Sequence, residues 1–155
     1  MVKKQDFDIV AAHKFFSADC FNRTWDYIDK PIRTTQEADS MLHLSLASLW
    51  HWTQREDCTP TKLSIGYWQV SRVFALLRQP ENARHYGELC LEEAQKEGVL
   101  PYYLGCAYEA LARAELVAGN RDKMGALLTQ ANQVAASLAD PEERKMLQAD
   151  LATIH

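Results

Sequence analysis

A chain of 155 residues with 47% hydrophobic and 25% charged side chains is long enough for one domain with its own core, and too apolar for wholesale disorder. Its 17 basic and 21 acidic residues leave a formal charge of −4, so there is no basic field for collecting phosphates and nucleic acid is not expected as a main partner. Four cysteines, at 20, 58, 90 and 106, form no C-x-x-C pair and suit reduced thiols in a cytoplasmic protein. The first residues lack the apolar stretch of a leader peptide, and no window approaches the ~18 apolar residues of a membrane span.

Pro31, Pro60, Pro80, Pro101 and Pro141 fall between periodic segments, where proline opens helices or separates them. No segment shows the Val/Ile/Thr alternation of a strand, so the expected class is all-α with about seven helices in a single domain over 1–155. The first helix is expected over Phe7 to Ile28, with a stripe of Phe7, Val10, Ala11, Phe15, Ala18 and Trp25. Thr34 and Glu37 then form a capping-box pattern. The second helix, Thr35 to Arg55, is apolar around most of its circumference through Met41, Leu42, Leu44, Leu49, Trp50 and Trp52, which predicts a central place between others. These two make an N-terminal pair over 1–58.

Thr59-Pro60 starts a third helix striped by Leu63, Tyr67, Val70, Phe74 and Leu77. After the Gln79-Pro80 corner a fourth runs to about Glu97, with Ala83, Tyr86, Cys90 and Ala94 inward and Gly98 ending it. Pro101 opens a fifth, closed by Gly119-Asn120, and a sixth extends to about Ala139. Asp140-Pro141-Glu142-Glu143 reads as the start of a capping helix over 140–155, with Leu147, Leu151 and Ile154 packed inward.

Residues 61–138 say nearly the same thing twice. A shift of 41 positions puts Tyr67 on Tyr108, Val70 on Leu111, Ser71 on Ala112, Arg72 on Arg113, Cys90 on Ala131 and Ala94 on Ala135. A fixed period of this size marks stacked helical hairpins. Tyr67-x2-Val70-Ser71-x2-Phe74 with Ala83, and Tyr108-x2-Leu111-Ala112 with Gly119-Asn120, resemble the tetratricopeptide-repeat signature. The copies depart from it at Arg78, which stands at the corner glycine, at Gly87, and at Glu115 in place of an aromatic. The period also exceeds the family's ~34 residues, as in longer-helix variants of bacterial peptide-responsive regulators. The resemblance implies a TPR-like right-handed superhelix of antiparallel hairpins. Its concave wall would carry Ile65, Trp68, Arg72 and Ala75 from one copy and Cys106, Glu109, Arg113 and Leu116 from the next.

Within that wall Trp68, Arg72, Glu109 and Arg113 are the candidate ligand-binding residues. Two readings stand. The guanidiniums, beside an indole, could clamp a carboxylate or an acidic peptide, or they could pair with Glu109 as a structural ladder. The expected function is accordingly a non-enzymatic module for a protein or peptide partner. An alternative is a small metal- or ligand-binding bundle, enzymatic or not, using His13, His43 and His51 as three histidine ligands. A homodimer through the aromatic-rich first two helices is a further option. No P-loop, G-x-G-x-x-G or G-x-S-x-G is present, so no cofactor and no catalytic residue are assigned.

Overall fold

The computed structural model describes residues 7–155. Among them are seven helices and no strand: α1 (Ile9–Ile28), α2 (Thr35–Thr53), α3 (Pro60–Leu76), α4 (Pro80–Ala94), α5 (Pro101–Ala118), α6 (Arg121–Ser137) and α7 (Pro141–Leu151). No helix among the described residues is long and apolar enough to cross a membrane.

The ends follow from side-chain chemistry. Thr34 accepts from Glu37 N while the Glu37 carboxylate accepts from Thr34 N at 2.9 Å, so the reciprocal cap satisfies two otherwise orphan donors. Asp8, Thr59 and Asp140 cap α1, α3 and α7 through their side chains, and proline occupies the first turn of α3, α4, α5 and α7. The fourth helix stops at Ala94, three residues short of the expected Glu97, before Gly98 at φ 83°.

The repeat holds in space: α3 and α5 begin at Pro60 and Pro101, and α4 and α6 at Pro80 and Arg121, the same offset each time. Both corners also use one geometry. Gln79 N donates to Phe74 O and Asn120 N to Glu115 O, each at 2.9 Å, around a left-handed residue that is Gly119 (φ 80°) in one copy and Arg78 (φ 57°) in the other.

Each helix packs on the next, and α1 on α3, α3 on α5, and α5 on α7 make a second series of contacts. The core is correspondingly a chain of small clusters rather than one mass. Ile28, Met41 and Val73 join α1, α2 and α3, and Leu49, Val70, Phe74, Ala83 and Ala114 continue through α5. Ala112, Ala131, Ala135, Leu147, Leu151 and Ile154 lock α5, α6 and α7 together. Alanines at the α5–α6 contact let the backbones approach closely. Gly105 serves the same end beneath α7, because a Cβ there would collide with the Leu147 side chain.

Helix α1 differs from its expected face. Phe7, Val10, Ala11, Phe15 and Ala18 are exposed, and the buried side chains are Ser17, Cys20, Thr24 and Ile28. Small polar groups close the seam with α2. The Ser48 hydroxyl donates to Ser17 O at 2.7 Å, and Thr24 returns its hydroxyl to Cys20 O at 2.7 Å. Helix α2 does lie between α1 and α3, yet Ser45 and Ser48 are among its buried residues while Trp50 is 54% exposed. Gln69, fully buried, reaches from α3 to Phe21 O at 3.0 Å and ties the first helix to the third.

Candidate functional site

The odd-numbered helices build one open pocket of about 400 Å³. Helix α1 contributes Phe21 and Trp25, and α3 contributes Ser64, Ile65 and Trp68. The opposite side comes from Tyr102, Tyr103 and Cys106 of α5, with Met146 and Asp150 of α7. Three residues expected on the wall, Ile65, Trp68 and Cys106, are there. The spacing explains why, since residues about one turn apart on a helix share a face. The Trp25 and Trp68 rings lie 5.6 Å apart, tilted by 37°.

All four candidate residues meet at one end of this pocket. Glu109, 1% exposed, accepts the Trp68 indole N–H at 2.8 Å, Arg72 Nη2 at 3.2 Å and Arg113 Nε at 2.8 Å. Trp68 and Glu109 occupy equivalent places in the two copies, as do Arg72 and Arg113, so the repeat itself brings them together. Helix α7 supplies the remaining acceptors. Asp150 Oδ1 takes Arg72 Nη2 at 3.0 Å, and Arg113 Nη2 donates to Asp150 O at 3.2 Å and to Thr153 Oγ1 at 2.7 Å. The geometry is therefore a guanidinium–carboxylate ladder. Burial opposes the charge on Arg72, but Glu109 and Asp150 more than offset it and hold its pKa above the ordinary guanidinium value.

The charges balance, but their exposure does not. The Arg72 and Arg113 side chains are each 14% exposed and that of Asp150 is 36% exposed. Asp150 is also the one formally charged residue, among the described residues, that lines the pocket. Burial pushes the Cys106 thiol up to about 12, and burial, with Cys106 beside it, raises the Tyr102 phenol. Both groups are neutral near pH 7. Cys90, held by burial at about 12, is equally inert as a nucleophile.

Sequence reasoning missed a second buried pair. Arg84 of α4 donates through Nε and Nη2 to Glu115 of α5 at 2.6 and 3.1 Å, and Asn120 donates to the same carboxylate at 2.6 Å. These bonds, Arg84 first, hold the Glu115 pKa below the usual carboxylate value. Glu115 stands where the repeat signature calls for an aromatic, and that mismatch was the available signal.

The three-histidine arrangement does not form. His13 and His51 face each other with Nδ1 atoms 2.8 Å apart, one N–H serving both. His43 is exposed elsewhere on α2, and no group of three His, Cys, Asp or Glu among the described residues is placed to hold a metal. The pair is instead a contact between α1 and α2, with Trp50 edge-on to His13 and Phe16 stacked on His51. Burial, and then His13, lower the His51 pKa.

No family model, curated protein or solved structure matches this chain. The class that fold and site define is an all-α chain of seven packed helices among its described residues, with an aromatic pocket walled by alternate helices.

Proposed function

We propose that this protein is a non-enzymatic helical-repeat module, built on two divergent TPR-like hairpins, that receives a protein or peptide partner in the pocket between α1, α3, α5 and α7. The observation that carries this is the lining: four alternate helices contribute side chains to a single aromatic cleft of about 400 Å³. Arrays of paired helices offer extended surfaces of this kind for binding, and clefts of this size lined by aromatics are the usual form of a ligand site. The equal offsets of α3/α5 and α4/α6 support the repeat reading. The free cysteines, three of them buried, fit a cytoplasmic setting. Arg72 Nη2 already holds Asp150 Oδ1, so an acidic segment that takes this nitrogen exchanges with the Asp150 carboxylate.

The test is site-specific photo-crosslinking in the native cell. A benzophenone side chain at Ile65, inside the cleft, is expected to capture a partner. The same group at Ile32, which is 84% exposed on the α1–α2 linker, is not. No adduct at Ile65, or equal adducts at both positions, would remove the proposal.

Self-association is the second reading. Ile9, Val10, Phe15, Phe16 and Trp50 leave an apolar face on the first hairpin, where a stack normally ends in a polar one. Sedimentation over a concentration series decides it.

A further inference from the structure

We infer that the cleft recognises an alkylated ammonium ion, a positive charge carried on a small apolar body. This rests on the cleft being the binding site and adds the chemistry of what enters it. Three observations carry it.

The first is the lining: Phe21, Trp25, Trp68, Tyr102 and Tyr103 present aromatic surface, and ring faces attract cations through their quadrupole. An apolar body is served by the same walls, together with Ile65 and Met146. The second is the placement of charge. Asp150 is the one charged group at the lining, and its Oδ2 has no protein partner among the described residues, whereas Oδ1 is held by Arg72. The positive members of the ladder are less exposed than Asp150 and are not among the lining residues, so an entering ligand meets aromatic groups and a carboxylate. The third is Trp68 itself, whose ring is held in place by the Arg72 guanidinium carbon, 5.3 Å from its centroid. The indole N–H is committed to Glu109, which fixes the ring as part of the wall.

An anionic ligand fits the lining poorly. It would meet the Asp150 carboxylate across aromatic faces that repel negative charge, and neither guanidinium is among the lining groups, Arg72 Nη2 and Arg113 Nε being held by the ladder carboxylates. The complementary ligand is positive and weakly hydrated. Two sources share that chemistry: a free quaternary amine and the alkylated ammonium of a lysine side chain in a peptide.

The experiment is calorimetric titration of the full chain with three probes of nearly equal shape, namely choline, neutral 3,3-dimethylbutan-1-ol and 3,3-dimethylbutanoate. The indole N–H resonances report the location, because Trp25 and Trp68 line the cleft while Trp50 and Trp52 do not. Choline is expected to bind about tenfold more tightly than the alcohol, with the carboxylate weaker still, and to shift the Trp25 and Trp68 signals. A short peptide bearing trimethyl-lysine separates the sources: tighter binding than choline assigns a peptide, equal or weaker binding a free amine. Asp150→Asn is expected to reduce choline affinity severalfold and leave the alcohol unchanged. Should that variant fail to fold, the charge series on the unaltered chain decides alone. Equal binding of alcohol and choline, preference for the carboxylate, or no binding by any probe overturns the inference. If crosslinking at Ile65 succeeds while choline fails, only the ligand chemistry is wrong; failure of both removes the cleft as the site.

Discussion

Replacing Glu109 by Gln is the sharpest probe of how the site is held together. The substitution keeps the shape and removes one negative charge from beneath two guanidiniums that are each 14% exposed. Three donors, from Trp68, Arg72 and Arg113, converge on the carboxylate, and the amide nitrogen of Gln would face at least one of them. Breaking one side of a buried ion pair costs about 3–5 kcal/mol, since the surviving charge stays desolvated. Against the ~5–15 kcal/mol stability of an ordinary domain that is a large share. With a urea dependence of about 2 kcal/mol per molar, the unfolding midpoint should fall by roughly 2 M. Urea denaturation followed by circular dichroism measures this, with an unchanged slope showing that the folded state is the same. A double-mutant cycle with Arg113→Gln should return a coupling of about 1–3 kcal/mol. A loss below about 1 kcal/mol, the range of a solvent-screened surface pair, would mean that Glu109 is not the counter-charge the geometry makes it.

Other consequences are independent of that one. Arg78→Gly should stabilise the fold by about 0.5–1 kcal/mol, because Arg78 holds φ 57° where its repeat counterpart is Gly119; a melting temperature that does not rise would contradict the left-handed corner. Gly105→Ala should loosen α7 by driving a methyl group into Leu147, seen as faster amide exchange in residues 141–151 than in α3; equal exchange would count against that contact. Acidification should weaken the first hairpin. The His51 pKa is depressed in the folded state, so below the ordinary histidine value of 6.5 the unfolded chain takes up its proton first and stability falls as pH drops. His51→Gln should flatten that fall in a pH series of denaturation midpoints.

Much of the scaffold was legible because its signals are local. Thr34 with Glu37, the prolines at 60, 80, 101 and 141, and Gly119 each act within one turn of where they stand. The resemblance reached further, for its wall positions include Trp68, Arg72, Glu109 and Arg113, which meet in the structure. Asp150 was not legible, since it meets Arg72 across 78 residues of sequence and depends on how α7 folds back. The first hairpin misled for a different reason. Apolar periodicity finds a buried face only when burial is apolar, and here Ser17, Thr24, Ser45 and Ser48 are inside, each donating its hydroxyl to a carbonyl of its own helix or of the neighbouring one. Histidine spacing on α2 could not tell that one imidazole would find His13 and the other face solvent.

The seam between α1 and α2 is closed by hydroxyls along much of its length, with Ile28 and Met41 as its apolar part. Hydrogen bonds exchanged for water add little net free energy, whereas the α5–α6–α7 end is fastened by leucine, isoleucine and alanine contacts that water cannot replace. Wherever that seam opens first, under mild denaturant or force, the cleft loses Phe21 and Trp25 while its other walls still stand.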